Sequence, residues 1–277
     1  MKRWIAVGVV LVVFAAAFVE RHRIATGYTS LFTRINEFHQ LTAYYGKHEV
    51  PRPPLTSRTM VAFVFGQSNS ANQNQQRFHA SSDHVVNFWE GKYYRAEDPL
   101  LGATGENGGF ATLMGDKLVA AGTFDDVILL AAGVGSTSAL EWTTGGRLNG
   151  MLEKRLAEAK AAGLTVTHFL WHQGENDSAE GHVAEYAGAM RPIIALTKRY
   201  FPQSKFFVAR ATICLDPRPN LELQKIQLAL TELPGVYPGP NTDEIGFEDR
   251  SDKCHLAGRG QVRHADGWVA AITAHLD

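Results

Sequence analysis

The chain has 277 residues, 45% apolar and 20% charged, a globular composition with length for one large domain or two small ones. Its 27 Lys plus Arg balance 28 Asp plus Glu, and no basic run is interleaved with aromatics, so nothing points to a nucleic-acid partner. Its two cysteines, Cys214 and Cys254, are far apart and outside any Cys-x-x-Cys pair, which removes zinc and thioredoxin-type readings. In an oxidising compartment they would form one disulfide; in the cytosol they would stay free.

At the N-terminus, Lys2 and Arg3 precede Trp4 to Val19, sixteen residues without a charge, and Glu20, Arg21, His22 and Arg23 return the chain to water. A spanning helix needs about 20 residues, but Trp4 and the flanking arginines can snorkel at the interfaces. Ala15-Ala16-Ala17 offers a small-x-small cleavage site, yet no polar region separates it from the apolar run. Residues 1–23 therefore read as an uncleaved membrane anchor, with the rest of the chain periplasmic or extracellular. The alternative is a cleaved signal peptide and a secreted protein.

From Ile24 to Tyr45 apolar residues recur near a 3.6 period, which predicts an amphipathic helix lying on the bilayer or on the domain. Pro51, Pro53 and Pro54 then enforce an extended spacer. The domain boundary is placed after this linker, giving 24–58 as helix and linker and 59–277 as the folded domain.

Beyond Thr59 strand and helix signals alternate, which predicts a three-layer, doubly wound α/β domain with a mostly parallel five-stranded sheet and helices on both faces. The strands are Met60 to Phe65, Asp126 to Ala132, Thr165 to Trp171, Lys205 to Cys214 and Gly235 to Tyr237, with an inserted hairpin from Val85 to Ala96. Helices are expected at Phe110 to Ala121, Arg147 to Ala161, Glu180 to Tyr200, Leu221 to Leu233 and Leu256 to Leu276.

In such sheets ligands bind at the carboxyl ends of strands, and four unusual clusters fall there. Gly66-Gln67-Ser68-Asn69 ends the first strand, as either a plain turn or a serine placed for function. Gly133-Val134-Gly135-Ser136 follows the second; its glycines would let a backbone N–H approach a ligand, but the spacing of a phosphate loop is absent. Trp171-His172-Gln173-Gly174-Glu175-Asn176-Asp177 ends the third. Glu175 and Asp177 are too close on one loop to flank a sugar from both sides as a glycosidase pair does. Asp252-Lys253-Cys254-His255 precedes the last helix, and a carboxylate three residues from an imidazole can hold one ring nitrogen and free the other as a base. Cys214 and Cys254 both belong near this edge, where a disulfide would pin the Asp-His loop.

Together these four motifs resemble the SGNH-hydrolase superfamily. The Gly-Gln-Ser-Asn and His-Gln-Gly-Glu variants are similar to its sialate O-acetylesterase-like group, which includes acetyl-xylan esterases of carbohydrate esterase family six. The resemblance runs from about Thr59 to the C-terminus. It implies Ser68 as nucleophile, His255 as general base and Asp252 as its orienting partner. It further implies an oxyanion hole from the N–H groups of Ser68 and Gly135 and the Gln173 amide, with Gln67, Asn69 and Glu175 in support. Relatives usually carry adjacent glycines in the second motif, so Gly133 competes with Gly135. Trp142 and His172 are candidate substrate contacts, and Trp89, Tyr93, Tyr94 and Trp142 would either stack on a sugar or fill the core. The expected activity is hydrolysis of short acyl esters, acetyl above all, on a carbohydrate, with no metal or cofactor. The alternatives are a broader lipase or thioesterase and a catalytically dead carbohydrate-binding module at the membrane.

Overall fold

A computed structural model describes residues 32–276. The candidate anchor at 1–23 lies outside them; among the described residues no helix is long and apolar enough to cross a membrane.

Beyond Phe32 the predicted helix over 24–45 does not continue. Strands β1 (Arg34–Ile35) and β2 (Leu41–Ala43) make a small antiparallel hairpin instead. The breaker is Asn36, whose Oδ1 accepts the N–H groups of Phe38 and Gln40, each at 3.0 Å, turning the chain where a helix would continue. The apolar spacing serves a different purpose: Leu41 is buried, and Gln40 Nε2 reaches in to the Ala132 carbonyl at 3.0 Å. Strand β3 (Glu49–Val50) comes just before the prolines.

Among the described residues the central sheet has eight strands rather than five. They are β3, β4 (Thr59–Gly66), β5 (Val85–Trp89), β6 (Lys92–Arg95), β7 (Asp126–Ala131), β8 (His168–His172), β9 (Lys205–Arg210) and β10 (Val236–Asn241). Their order is β10-β9-β8-β4-β7-β5-β6-β3. From β10 to β5 all neighbours are parallel; β6 and β3 extend the edge antiparallel. The hairpin read as an insertion supplies two of the extra strands, because Val85–Asn87 pair with Val127–Leu129 of β7. The third is β3, in the 24–58 stretch that the sequence assigns to helix and linker.

The helices are α1 (Ala111–Ala120), α2 (Ala139–Trp142), α3 (Asn149–Ala161), α4 (Glu175–Glu180), α5 (Tyr186–Tyr200), α6 (Leu221–Ala229) and α7 (Gly258–Thr273). All of β4 is buried, and its alternating side chains feed two cores. Val61, Phe63 and Phe65 meet α2, α3 and α5 on one face; Met60, Ala62 and Val64 meet α1 and α7 on the other. Phe65 packs against Trp171 with ring centroids 4.8 Å apart. The chain visits β7 on one side of β4 and then crosses to β8 on the other, so a topological switch point lies at the carboxyl end of β4, beside Ser68.

Candidate active site

Strand β4 ends at Gly66, with φ 120°. A Cβ there would lie 2.1 Å from the His172 carbonyl oxygen, so glycine lets the strand end close on β8. The Gln67 N–H then donates to that same oxygen at 3.0 Å. Ser68–Ser70 form a single 3-10 turn, closed by the Ala71 N–H on the Ser68 carbonyl at 3.0 Å. Ser68 is thereby held in a buried turn on a rigid strand end. Gln67 ties this turn to the next loop: its Oε1 accepts the Asn176 N–H at 3.0 Å and the Gly174 N–H at 3.4 Å at the start of α4.

Before α7, Asp252 organises its own turn. Its Oδ1 accepts the main-chain N–H groups of Cys254 at 3.0 Å and His255 at 2.7 Å, and its Oδ2 meets His255 Nδ1 at 2.6 Å. Partial burial works against the Asp252 charge, but these bonds from His255 and Cys254 outweigh it and hold the carboxyl below its usual range. In the neutral ring, a proton on Nδ1 leaves Nε2 free to act as a base. The His255 side chain is 22% exposed and Asp252 54%, so the pair sits at an open mouth.

Asn69 connects the two halves. Its Oδ1 accepts the Leu256 N–H at 3.2 Å and its Nδ2 lies 3.4 Å from the Cys254 carbonyl, so the residue after Ser68 grips the chain on both sides of His255. Its Nδ2 also donates to Glu175 Oε1 at 2.8 Å. Among the described residues Ser68 Oγ and His255 are not hydrogen-bonded to each other. Cys214, beyond β9, is disulfide-bonded to Cys254 and anchors the same turn from the other side.

Gly135 and Gln173 reach this edge, but their donors are already engaged. The Gly135 N–H donates to Thr104 Oγ1 at 2.9 Å, an acceptor it shares with Gln73 Nε2 at 3.1 Å. Gln173 is buried and spends its amide hydrogens on the Thr137 carbonyl at 3.0 Å and on Asp177 Oδ2. Asp177 also accepts the Ala139 N–H, and burial raises its carboxyl to about 6. Glu175 and Asp177 are both buried and turned to different partners, so they do not form a carboxylate pair across a cleft.

Two expected substrate contacts are corrected. Trp142 is fully buried between the sheet and α3, its Nε1 donating to Thr137 Oγ1 at 3.0 Å. His172 is fully buried too, with Nε2 3.0 Å from Glu175 Oε1 and Nδ1 3.0 Å from His264 Nε2. Neither side chain can reach a ligand. Trp89 and Tyr93 are likewise buried, Trp89 under the Arg155 guanidinium 4.1 Å from its ring; Tyr94 is half-buried.

Sequence reading missed Arg250. It is buried just before the Asp252 turn and donates to the carbonyls of Cys254 at 2.7 Å, Thr242 at 2.9 Å, Ile213 at 3.2 Å and Ile245 at 3.4 Å. An arginine two residues before an Asp-x-x-His motif carries no signal that it will turn inward. A cavity of about 670 Å³ opens beside the disulfide, lined by Ser178, Thr212, Cys214, Leu215, Arg218 and Asn220 among others. Among the described residues no cluster of His, Cys, Asp and Glu could hold a metal ion.

A family model described as carbohydrate esterase, sialic acid-specific acetylesterase matches residues 59–273. No curated protein matches the chain. Among solved structures the fold is similar to a protein from Arabidopsis thaliana, with TM-score 0.64 and 18% identity over 81% of this chain and 100% of that one. It is also similar to NanS, with TM-score 0.58 and 13% identity over 78% and 97% of the two chains. A variant of Axe2, an acetyl xylan esterase from Geobacillus stearothermophilus, gives TM-score 0.54 and 12% identity over 80% and 97%. These structural likenesses show the shared α/β fold, and the family model carries the assignment: the chain belongs to the sialic acid-specific acetylesterase family of carbohydrate esterases and is a carboxylic ester hydrolase.

Proposed function

We propose that this chain is a serine esterase that removes short acyl groups, acetyl above all, from the hydroxyls of a carbohydrate outside the cytoplasm. The observation that carries this reading is the Asn69 bridge, which ties the Ser68 turn to both neighbours of a His255 already held by Asp252. A hydroxyl is a poor nucleophile until an adjacent imidazole takes its proton. His255 Nε2 takes the Ser68 proton as Oγ attacks the ester carbonyl, and Asp252 stabilises the imidazolium that forms. Collapse of the tetrahedral intermediate breaks the bond to the sugar oxygen, which leaves with the proton from His255. A water molecule, deprotonated by the same ring, then cleaves the acyl-enzyme and releases the acid.

The oxyanion is assigned to the Ser68 N–H together with a backbone N–H of the Gly133–Gly135 turn, each such donor contributing about 3 kcal/mol to the transition state. Gly133 is the better candidate, because the Gly135 N–H is already on Thr104. Gln173 takes part only if substrate draws its amide away from Thr137 or Asp177. The disulfide supports an oxidising compartment, and an N-terminal anchor would hold the enzyme at a membrane with its catalytic face outside.

The test is turnover of p-nitrophenyl acetate and release of acetate from a panel of acetylated glycans by the purified chain. Acetate release from at least one glycan, abolished in Ser68→Ala, supports the reading. Activity on aryl esters alone would remove the carbohydrate, and equal turnover by Ser68→Ala would remove the mechanism.

A further inference from the structure

Behind the catalytic turn a chain of buried polar groups runs from α7 to Asn69, and its hydrogens can be counted. Trp268 Nε1 can only donate, and it lies 3.0 Å from His264 Nε2. That nitrogen is therefore an acceptor, and the His264 proton sits on Nδ1, which has no hydrogen-bond partner among the described residues. The same nitrogen lies 3.0 Å from His172 Nδ1; a bare Nδ1 would set two lone pairs against each other, so the favoured arrangement puts a hydrogen on Nδ1 that shares the His264 lone pair with the Trp268 N–H. The other nitrogen of His172 faces Glu175 Oε1 at 3.0 Å. Two lone pairs cannot face each other there at no cost, so Nε2 carries a hydrogen as well. His172 then has both ring protons and is an imidazolium.

From this geometry we propose that His264 and Trp268 are positioning residues for the catalytic turn, keeping His172 as a buried cation paired with Glu175 so that Glu175 fixes the Asn69 amide. The inference rests on the esterase reading above. Glu175 Oε1 accepts Asn69 Nδ2, which leaves Asn69 Oδ1 facing the Leu256 N–H. The opposite amide orientation would set Oδ1 against a carboxylate and an NH2 group against an N–H. The ion pair thus selects the one orientation that grips the chain beyond His255.

The surroundings fit these charges. His172 and Glu175 side chains are 0% and 1% exposed, so an uncompensated charge on either would be costly. Burial alone would raise the Glu175 carboxyl, but the charge and hydrogen bond of His172 and the Asn69 amide outweigh it and hold it at about 2. Burial, with the positive charge of His172 and Arg250 nearby, pushes His264 well below the ordinary imidazole range, which keeps it a neutral acceptor. Phe110 lies against both residues, with ring centroids 4.5 Å from His264 and 5.2 Å from Trp268, and holds them in register. Arg250 and the buried, un-ionised Tyr186 are further ionisable groups near the pair.

The experiment is long-range 1H–15N spectroscopy of the histidine-labelled full chain, read without substrate. One imidazole with both nitrogens protonated, and lost in His172→Gln, is the expected result. His264→Phe removes the acceptor: that doubly protonated signal should become a neutral ring, with kcat falling roughly 10- to 100-fold and KM for p-nitrophenyl acetate unchanged. His264→Gln restores an acceptor and should recover most of the rate. An unprotonated nitrogen on His172 in the wild-type chain near neutral pH would overturn the inference whether or not the variants fold. Full kcat in folded His264→Phe would overturn it too. The spectrum is independent of turnover, so these failures are distinguishable from failure of the esterase reading, which Ser68→Ala tests.

Discussion

Asn69 follows Ser68, Leu256 follows His255, and the Asn69 Oδ1 accepts the Leu256 N–H at 3.2 Å. Together with the Gln75 N–H on the Leu256 carbonyl at 3.1 Å, this bond ties a turn at the centre of the sheet to a loop 187 residues further along the chain. The Ser68 turn and the Asp252–His255 loop come from elements that share no strand pairing, so their spacing depends on bonds such as these.

Replacing Asn69 by alanine should therefore lower kcat roughly 10- to 100-fold, about 1.4–2.7 kcal/mol of transition-state stabilisation. KM for a small aryl acetate should change little, because the amide holds the His255 loop rather than the proposed substrate. Steady-state kinetics alongside a thermal melt checks this; unchanged kcat in a folded variant would show that His255 is held without Asn69.

The Cys214–Cys254 bond closes a loop of 40 residues in sequence separation. Chain entropy alone gives about 4 kcal/mol of stabilisation for such a loop. Cys214→Ser with Cys254→Ser should lower the melting temperature and free the Asp252–His255 turn, reducing kcat more than a remote disulfide would. Differential scanning calorimetry and kinetics with and without reductant are the measurements. Loss of stability with full kcat would show that Arg250 and Asn69 suffice to hold the turn.

Two buried carboxylates on one loop should respond to pH in opposite directions. Glu175 is held at about 2 against an ordinary 4.5, so its contribution of about 3 kcal/mol is complete above the unfolded value and is lost as pH falls towards 2. Asp177 is raised by burial to about 6 against 3.8, so the unfolded chain releases that proton first and stability falls by about 3 kcal/mol as pH rises from 4 to 6. Melting temperature against pH should flatten between 4 and 6 in Asp177→Asn, whose NH2 can meet the otherwise unpartnered Gln173 Oε1. It should flatten between 2 and 4.5 in Glu175→Gln. An unchanged acid slope in either variant would exclude that carboxylate as its source.

What the sequence made legible was the part governed by local rules. Buried apolar runs located β4, β7 and β8; the polar turn after β4 named Ser68, and the Asp-x-x-His spacing before the last helix named Asp252 and His255 as candidates. The edge strands were harder to read. Two-residue β3 is too short for periodicity, and the 24–45 repeat looks helical until Asn36 is seen turning the chain. Burial is also non-local: His172 and Trp142 sit in motifs rich in chemistry, yet both point into the core, while Arg250 and His264 lie outside any motif and face the site from behind.

Trp142 offers a direct check of that distinction. Trp142→Phe should leave KM unchanged on every glycan tested, while losing the bond to Thr137 and part of the aromatic cluster with Phe65 and Trp171. A destabilisation of about 1–3 kcal/mol by chemical denaturation is expected. A selective rise in KM for sugar esters would return Trp142 to the substrate site.

The most direct measurement is of Ser68 itself. Mixing the chain with a slowly hydrolysed aryl ester, quenching in acid and mapping the peptides by mass spectrometry should place the acyl group on Ser68. Ser68→Ala should carry none and should lose the initial burst of p-nitrophenol. An acyl group on any other residue, or undiminished turnover by Ser68→Ala, would contradict the mechanism.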